Sequence, residues 1–372
     1  MLGGFMVVAG FFAILMIHEA GHLVAAKSLG MKATKYFLGF GPTLWSFQRG
    51  ETEYGVKAIP AGGYVRIIGM NTLEEVPPED EDRAYRIKPF WEKSVVVMAG
   101  VATHFAVAFV LLWFANVVVG EPDRNRPQLE IAQVLPETED GSPTAAVIAG
   151  IQVGDLVAAV DGVSVANWDE LTSILRSRPN QQVTLEVLRD GERLQLDTTL
   201  TSRTNPNTDE ELGYLGVSPK FSKNRDNPIY GIGRSIGDVA LFTRLSAQGI
   251  WQFVTNFNNF ISAAFSNDEA LDEVRPVSVI GITQFGAASQ QFGLNVTLEL
   301  IAYISIFVGL VNTIPLYPFD GGHFAVALYE KVTGRQPDMR KLIPVGAVVF
   351  FFIVLVGVLG IYFDIVRPLD LG

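Results

Sequence analysis

Four long stretches of the chain are almost wholly hydrophobic, and they dominate its pattern of polar and apolar positions. Residues 3–26 contain one acidic or basic residue, Glu19, whereas residues 94–119, 300–319 and 342–363 contain none. Each stretch reaches the ~20 residues with which a helix crosses a hydrocarbon core about 30 Å thick. The first stretch lacks the basic start and the small-residue cleavage site of a signal peptide. The pattern therefore predicts four transmembrane helices.

Basic residues are unevenly spread over the segments between these stretches. Residues 27–93 hold 10 Lys and Arg and residues 329–341 hold 4, whereas the far longer segment 120–297 holds 13. Cytoplasmic loops of membrane proteins are enriched in Lys and Arg. We therefore expect a multi-pass protein of the cell membrane, with the two basic segments in the cytoplasm and both termini and the long segment outside.

The first cytoplasmic segment alternates between apolar and polar residues, as β-strands do. The alternation runs over residues 43–69 on both sides of Arg49-Gly50, which predicts a hairpin followed by another strand. Such an apolar segment beside a membrane can enter the membrane only where its backbone is paired or covered by protein. We expect a membrane-associated β-hairpin region.

The outer segment carries a second hairpin pattern. Residues 183–200 alternate around Asp190-Gly191, and Asp-Gly between alternating runs is a strong hairpin signal. Small residues, turns and a hydrophobic strand over 141–165 precede a predicted helix at 169–178. This order resembles a PDZ domain of the type found in bacterial proteases, and another small α/β module is the alternative.

Helical spacing of Ile and Phe over residues 228–265 predicts amphipathic helices, which either lie on the outer face of the membrane or pack against the PDZ-like module. The predicted fold is thus a polytopic α-helical membrane protein with four transmembrane helices, a cytoplasmic β-hairpin region and one extracytoplasmic PDZ-like α/β domain. In chain order the predicted segments are 1–29 (first span), 30–92 (hairpin region and loop), 93–120 (second span), 121–205 (PDZ-like domain), 206–297 (amphipathic outer helices), 298–328 (broken third span), 329–341 (cytoplasmic loop) and 342–366 (fourth span).

Composition narrows the possible chemistry. Hydrophobic residues make up 49% of the chain, and the formal net charge is -11, which argues against a nucleic-acid partner because phosphate binding needs clustered Lys and Arg. The absence of cysteine excludes a disulfide scaffold, a cysteine nucleophile and a thiolate metal site. A metal site must therefore use the four histidines and the carboxylates.

The first span contains the sequence His18-Glu19-Ala20-Gly21-His22. Histidines at positions i and i+4 share one face of a helix, so both imidazoles reach one metal ion, with a glutamate beside them as a base. Ionisable groups are expensive inside a membrane and therefore indicate function there. The alternative is a buried histidine pair that binds no metal.

A catalytic zinc ion takes three protein ligands and one water, so the two histidines leave the site one ligand short. The remaining candidates are His104, His323 and an intramembrane carboxylate, of which Asp320 is favoured. Pro315, Pro318 and two glycines interrupt the third span around Asp320, as expected of a broken helix that lines a polar cavity. The alternative role for Asp320 is that of a helix N-cap.

Taken together, these motifs resemble the site-2 protease family, in its single-PDZ bacterial form of the actinobacterial type. The resemblance rests on HEAGH in the first span, the hairpin sequence GFGPTLWSFQRGETEYGVKAIPAGGYVRIIGM, the PDZ-like insert and NTIPLYPFDGG in the third span. It covers nearly the whole chain. It implies an intramembrane zinc metalloprotease whose substrates are single-span membrane proteins in the bilayer, such as anti-sigma factors, usually after a first-site protease has shortened them.

Matched motif by motif, the resemblance implies that His18, His22 and Asp320 bind Zn²⁺ and that Glu19 is the general base. It also implies that Asn312 holds the substrate backbone or the developing oxyanion. One motif departs from the family. Where relatives often have Ala-Gly-Pro followed by Asn in the second span, this chain reads AGVATHF, with His104 near the asparagine position. His104 is either a polar group of the site or a packing residue.

Two other functional classes are compatible with parts of the sequence. A membrane zinc transporter also places His and Glu in membrane helices, but we expect it to need more than four spans. A proteolytically silent PDZ scaffold keeps the PDZ-like module but has no need of the zinc residues. For the protease, the PDZ-like module is expected to act as a filter against substrates that carry large outer domains, and a docking groove for a fresh C-terminus is the alternative.

Overall fold

In the computed structural model, the long apolar stretches form helices and the alternating segments form strands. The structure describes residues 2–71, 74–138, 141–204, 210–257 and 278–366. The helices within these residues are α1 (Leu2–Ser28), α2 (Phe90–Phe114), α3 (Ala145–Ala149), α4 (Trp168–Arg176), α5 (Pro228–Thr255), α6 (Val279–Phe292), α7 (Leu294–Asn312), α8 (Asp320–Thr333) and α9 (Met339–Val366).

The strands lie in two parts of the chain, between α1 and α2 and between α2 and α5. In chain order they are β1 (Ala33–Arg49), β2 (Thr52–Ile67), β3 (Glu121–Val134), β4 (Leu156–Val160), β5 (Val163–Ser164), β6 (Gln182–Arg189), β7 (Glu192–Thr199), β8 (Thr201–Thr204), β9 (Glu211–Tyr214) and β10 (Val217–Asn224). The chain divides into two units, of which one combines Met1–Val119 with Asp226–Gly372 and the other is Gly120–Arg225.

Four helices of the first unit are long and apolar enough to cross a membrane, by length and composition and within the described residues. They are Leu2–Ser28, Phe90–Val119, Leu294–Asn312 and Arg340–Val366. The third differs from its predicted bounds of 300–319, because the helix ends at Asn312 and residues 313–319 form a turn. Pro315 and Pro318 lack the N–H groups that would continue the helix.

Strands β1 and β2 confirm the predicted hairpin around Arg49-Gly50. Lys35 of β1 pairs with both Glu53 and Arg66 of β2, so the first part of β1 lies between the two ends of β2. Residues 63–67 of β2 are thus the further strand that the alternation predicted. They pair with β1 on one side.

The second unit is built around one sheet with the strand order β10-β3-β4-β6-β7, with β5 beside β4 and a separate β8-β9 pair. Strands β6 and β7 confirm the hairpin at Asp190-Gly191, where both residues have positive φ angles. The helix predicted at 169–178 is α4, whose start is capped by Asn167. Burial would raise the pKa of the Asp155 carboxyl, but hydrogen bonds from Arg189 and from the Gln152 amide lower it below its usual value.

The second unit extends further than the predicted boundary at residue 205. Strands β9 and β10 lie in the segment 206–297, for which the sequence analysis predicted amphipathic helices. Between them, Leu215 is buried in the core of the unit, and β10 pairs with β3. Pairing with a distant strand decided the conformation here, and the sequence pattern of this short segment does not reveal that partner.

Helix α5 begins the predicted amphipathic stretch, and the later part of that stretch, including Phe260, lies outside the described residues. Val239 and Phe242 of α5 pack against the core formed by α2 and α7, whereas Ile232 and Ile236 are exposed. The helix therefore packs on the other helices of the first unit, an arrangement that neither sequence alternative described.

Candidate metal centre

His18 and His22 lie one turn apart on the same face of α1, as their spacing predicts. Their Nε2 atoms are 3.2 Å apart, and both side chains are buried, at 6% and 4% exposure. Such burial in an apolar helix is costly for a polar ring unless a partner compensates for the lost water. The structure thus brings two metal-binding nitrogens to one point inside the helices.

Asp320 completes a group of three at this point. Its Oδ2 atom lies 3.2 Å from Nε2 of His18 and 3.2 Å from Nε2 of His22. The N-cap of α8 is Phe319, and no side chain makes a capping hydrogen bond there. The alternative role of Asp320 as an N-cap therefore has no support in the geometry, because its carboxylate contacts the two imidazoles.

Close packing of α1 against α2 fixes the position of His22. A Cβ atom added at Gly21 would lie 2.8 Å from the carbonyl oxygen of Ala99, and one added at Gly100 would collide with the imidazole of His22. The small residues inside HEAGH and opposite it on α2 therefore let the two helices approach. This approach is why the imidazole of His22 fits between them.

The turn before α8 sets the position of Asp320 in a similar way. A Cβ atom at Gly321 would collide with the carbonyl oxygens of Thr313 and Ile314, and one at Gly322 would lie 2.7 Å from the amide nitrogen of Tyr317. The two glycines after Asp320 thus allow the turn from α7 to fold tightly over the first turn of α8.

One hydrogen bond determines which nitrogen of His22 faces the centre. Nδ1 of His22 lies 2.8 Å from the carbonyl oxygen of Val96. A carbonyl only accepts, so Nδ1 carries the hydrogen, and in the neutral ring Nε2 keeps its lone pair. The lone pair points at the two other atoms of the group. An outer hydrogen bond of this kind orients the histidine ligands of metal sites.

The three atoms form a donor set that suits zinc. Ligands held about 2.0–2.1 Å from a tetrahedral zinc ion lie about 3.4 Å apart, close to the 3.2 Å separations found here. Oδ2 of Asp320 is buried and makes no hydrogen bond to a described residue. With both imidazoles neutral, a carboxylate oxygen and two ring nitrogens converge on one point, and a cation bound there would offset their mutual repulsion, so the residues present fit a metal ion.

Glu19 lies beside this group and is held by the hairpin region. Its Oε2 atom accepts a hydrogen bond of 2.9 Å from the backbone N–H of Val65 in β2. The hydroxyl of Tyr36 in β1 donates to the carbonyl oxygen of Met16 at 2.7 Å. Both strands are therefore attached to α1 next to the HEAGH motif.

The two other histidines lie outside the group of three. His323 is on α8, where its Nδ1 atom is 3.4 Å from the hydroxyl of Tyr317. His104 is on α2, and its ring centroid is 4.8 Å from that of His18. Neither histidine has a nitrogen in the group whose ligand atoms all lie within 4.8 Å of one another. The alternatives for the third ligand are thus disfavoured by distance.

Asn312, the proposed substrate-binding residue, is the last residue of α7. It is half-buried and precedes the turn that leads to Asp320. Its role stays a prediction. The sequence analysis missed the two backbone partners of the centre, the carbonyl of Val96 and the N–H of Val65, because a backbone group from a distant segment has no signature in sequence.

Comparison with known proteins adds a family to this geometry. Residues 6–356 match the sequence profile described as Peptidase family M50. The zinc metalloprotease Rip1 of Mycolicibacterium smegmatis is 32% identical over 410 aligned positions that cover 100% of both chains. The zinc metalloprotease RasP of Shouchella clausii is 25% identical over 432 positions, which cover 95% of this chain and 96% of the relative.

Two further likenesses concern another relative and one part of the chain. A putative zinc metalloprotease of Nostoc sp. is 29% identical over 356 positions, covering 94% of this chain and 91% of the relative. The solved PDZ domain of an SdrC-like protein from Listeria monocytogenes matches 23% of this chain and 84% of its own length, with 17% identity and a TM-score of 0.19.

Proposed function

The chain belongs to peptidase family M50, the site-2 protease family, and is a zinc metalloprotease that acts within the membrane; we propose that His18, His22 and Asp320 bind its zinc ion and that Glu19 is its general base. The observation that carries this proposal is the convergence of three ligand atoms at separations of 3.2 Å. The two histidines lie in a helix that is apolar enough to cross a membrane, where ionisable groups are costly and indicate function.

Two imidazole nitrogens and one carboxylate oxygen would hold the ion and leave it accessible to water or substrate, as at other catalytic zinc sites. A zinc ion held there would supply Lewis-acid polarisation of the scissile carbonyl and would lower the pKa of water toward about 7. His22 is kept in its metal-binding tautomer by the carbonyl of Val96, 2.8 Å from Nδ1. Asp320 is held by the tight turn before α8.

Glu19 moves the proton of the reaction. Its carboxylate takes a proton from the attacking water as the water oxygen bonds to the scissile carbonyl carbon. The same proton then passes to the nitrogen of the leaving amine as the C–N bond breaks. The N–H of Val65, 2.9 Å from Oε2, keeps the Glu19 carboxylate beside the ligands without being one of them.

The hairpin region presents the substrate backbone to this centre. Residues 63–67 pair with β1 on one side, and the N–H of Val65 points to Glu19 rather than into that pairing. An unwound substrate segment pairs with this edge by strand addition, which supplies backbone hydrogen bonds without strong sequence selection. Asn312 binds the substrate backbone or the developing oxyanion.

The substrates are single-span membrane proteins of the anti-sigma type that a first-site protease has already shortened. The distribution of Lys and Arg supports four spans, with the hairpin region in the cytoplasm and both termini and the Gly120–Arg225 unit outside. We call this unit the PDZ-like unit. It acts as a filter that excludes substrates still carrying large outer domains.

Replacement of Glu19 by Gln tests the proposal most directly. The variant keeps the three ligands and the shape of the side chain but removes the base. Purified wild-type and Glu19→Gln proteins are compared for zinc content by mass spectrometry and for cleavage of a shortened single-span substrate in detergent. We expect equal zinc content and loss of cleavage only in the variant. Full activity of Glu19→Gln would refute the assignment, and zinc binding without cleavage by the wild type would favour a silent scaffold.

A further inference from the structure

His104 lies beside the metal centre but has no place in the mechanism above. It is on α2, one turn after Gly100, and only 1% of it is exposed. Its ring is tilted by 38° to that of His18, with the centroids 4.8 Å apart. A Cβ atom at Gly309 of α7 would lie 2.7 Å from Cβ of His104, so a glycine on the facing helix makes room for this histidine.

Ser305 of α7 determines which nitrogen of His104 carries the hydrogen. The Ser305 hydroxyl donates to the backbone carbonyl oxygen of His104 at 2.9 Å, which uses its only hydrogen. Nδ1 of His104 lies 3.3 Å from the same hydroxyl oxygen, so this contact is a hydrogen bond only if Nδ1 is the donor. In the neutral ring the hydrogen is therefore on Nδ1, and Nε2 has a lone pair.

This lone pair has no partner among the described residues. Nε2 of His104 is buried and makes no hydrogen bond there. Buried polar atoms in native proteins nearly always have a partner, and an exception calls for an explanation. His104 accepts one hydrogen bond from Ser305 at its backbone carbonyl and donates one to the Ser305 hydroxyl from Nδ1. These contacts account for the Nδ1 side of the ring but leave the acceptor at Nε2 unexplained.

We propose that Nε2 of His104 accepts a hydrogen bond from the water molecule that Glu19 deprotonates. The inference rests on the proposed function. A water molecule has two hydrogens, and Glu19 takes one of them as a proton. The other stays on the oxygen and forms a hydrogen bond to a second acceptor, so the orientation of the water is fixed and an oxygen lone pair faces the scissile carbonyl. His104 is thus a positioning residue for the nucleophile and not a metal ligand.

Replacement of His104 by asparagine and by glutamine tests the roles of its two ring nitrogens separately. The amide of an asparagine lies near the position of Nδ1 and preserves a donor toward Ser305, but it leaves the Nε2 position without an acceptor. The amide oxygen of a glutamine reaches the Nε2 position. Leucine preserves volume and removes both groups, and it replaces asparagine in the comparison if His104→Asn does not fold.

The experiment measures zinc content, the visible absorption of the Co²⁺-substituted protein, and kcat and KM for a shortened single-span substrate. We expect His104→Asn and His104→Leu to bind metal at the wild-type stoichiometry but to show altered Co²⁺ bands. We expect their kcat to fall by about 10- to 100-fold, the range found when outer partners of metal sites are lost, with KM unchanged. His104→Gln should keep kcat within a few-fold of the wild-type value.

Two results would overturn the inference. Wild-type bands and kcat in His104→Asn would show that the residue only packs, and loss of bound Co²⁺ from this variant would show that it is a ligand. Failure of the proposed function is distinguishable from both, because it would appear as absence of metal and of cleavage in the wild-type protein itself.

Discussion

The backbone N–H of Val65 donates a hydrogen bond of 2.9 Å to Oε2 of Glu19, and this bond connects the last part of β2 to the HEAGH motif of α1. Val65 lies in the part of β2 that pairs with Tyr36 of β1, yet its N–H points away from that strand. Under the proposed mechanism, a substrate that pairs with the same edge would lie next to the Glu19 carboxylate. One stretch of backbone would then position both the proposed base and the scissile bond.

Replacement of Val65 by Pro removes this N–H, whereas Val65→Ala retains it. Proline is tolerated in a strand where the N–H does not belong to the ladder. Because hydrogen bonds to charged groups contribute about 1.5–3 kcal/mol, we expect kcat/KM of Val65→Pro to fall by about ten-fold or more while zinc content is unchanged. Cleavage assays on both variants check this, and equal rates for the two would show that the N–H is dispensable.

Two replacements of Asp320 separate its negative charge from its volume. Asp320→Ala removes the ligand and Asp320→Asn preserves its size without the anionic oxygen. Loss of an outer partner of a metal site costs about 10- to 100-fold in metal affinity. We expect both Asp320 variants to lose more zinc affinity than this and to lose cleavage. Zinc retained after dialysis against a weak chelator is measured by mass spectrometry. Asp338→Asn, in the loop after α8, is the control, and normal zinc content in both Asp320 variants would refute the ligand assignment.

The parts of the centre differ in how far the sequence predicts them. His18 and His22 follow from helical spacing in an apolar stretch, and Asp320 follows from the scarcity of acidic residues near the spans. Their mutual distances do not follow, because they depend on the approach of α1 to α2 at Gly100. The sequence does not reveal the role of the Val96 carbonyl either, because every residue has a carbonyl group and only the tertiary structure places this one against His22.

The fold was predictable where a pattern is local. The hairpins at Arg49-Gly50 and Asp190-Gly191 are specified by residues adjacent in sequence. By contrast, β10 forms because β3, almost a hundred residues earlier, offers an edge. The packing of α5 on α2 and α7 likewise depends on which apolar face a distant helix presents, and amphipathic spacing alone does not specify that partner.

Gly100 tests whether the helix approach is needed for metal binding. A methyl group at this position collides with the imidazole of His22, so Gly100→Ala should displace that ring. Overpacking of this kind typically costs about 1–3 kcal/mol, and we expect a lower melting temperature and weaker zinc binding. Gly233→Ala in α5 is the matched control, because an added Cβ there meets nothing within 4 Å. If Gly100→Ala bound zinc like the control, the close approach would be irrelevant to the centre.

The proposed orientation is testable because the chain contains no cysteine. Single cysteines at Arg49 and Asp190 place one thiol in each hairpin turn, at exposed positions. From the distribution of basic residues we expect a membrane-impermeant maleimide to label Asp190→Cys in intact cells and Arg49→Cys only after permeabilisation. Labelling of both in permeabilised cells is the control, and the reverse pattern in intact cells would invert the topology.

The role of the PDZ-like unit can be tested by removing it whole. Glu121 at the start of β3 pairs with Asn224 at the end of β10, so the two ends of the unit are neighbours and a short Gly-Ser linker can replace residues 121–225. A shorter deletion that kept β10 would leave that strand without its partner. The complete deletion therefore offers the better chance of preserving the catalytic helices.

This deletion distinguishes the filter from the docking groove. A filter acts by steric exclusion of large outer domains and contributes no affinity for the shortened substrate. We therefore expect the deletion variant to cleave the full-length substrate as well as the shortened one, with the rate for the shortened form unchanged. Glu19→Gln in the same deletion is the control that assigns any new cleavage to this centre. If a zinc-loaded deletion variant instead lost cleavage of the shortened substrate and still spared the full-length form, the unit would be a docking site for the newly exposed C-terminus.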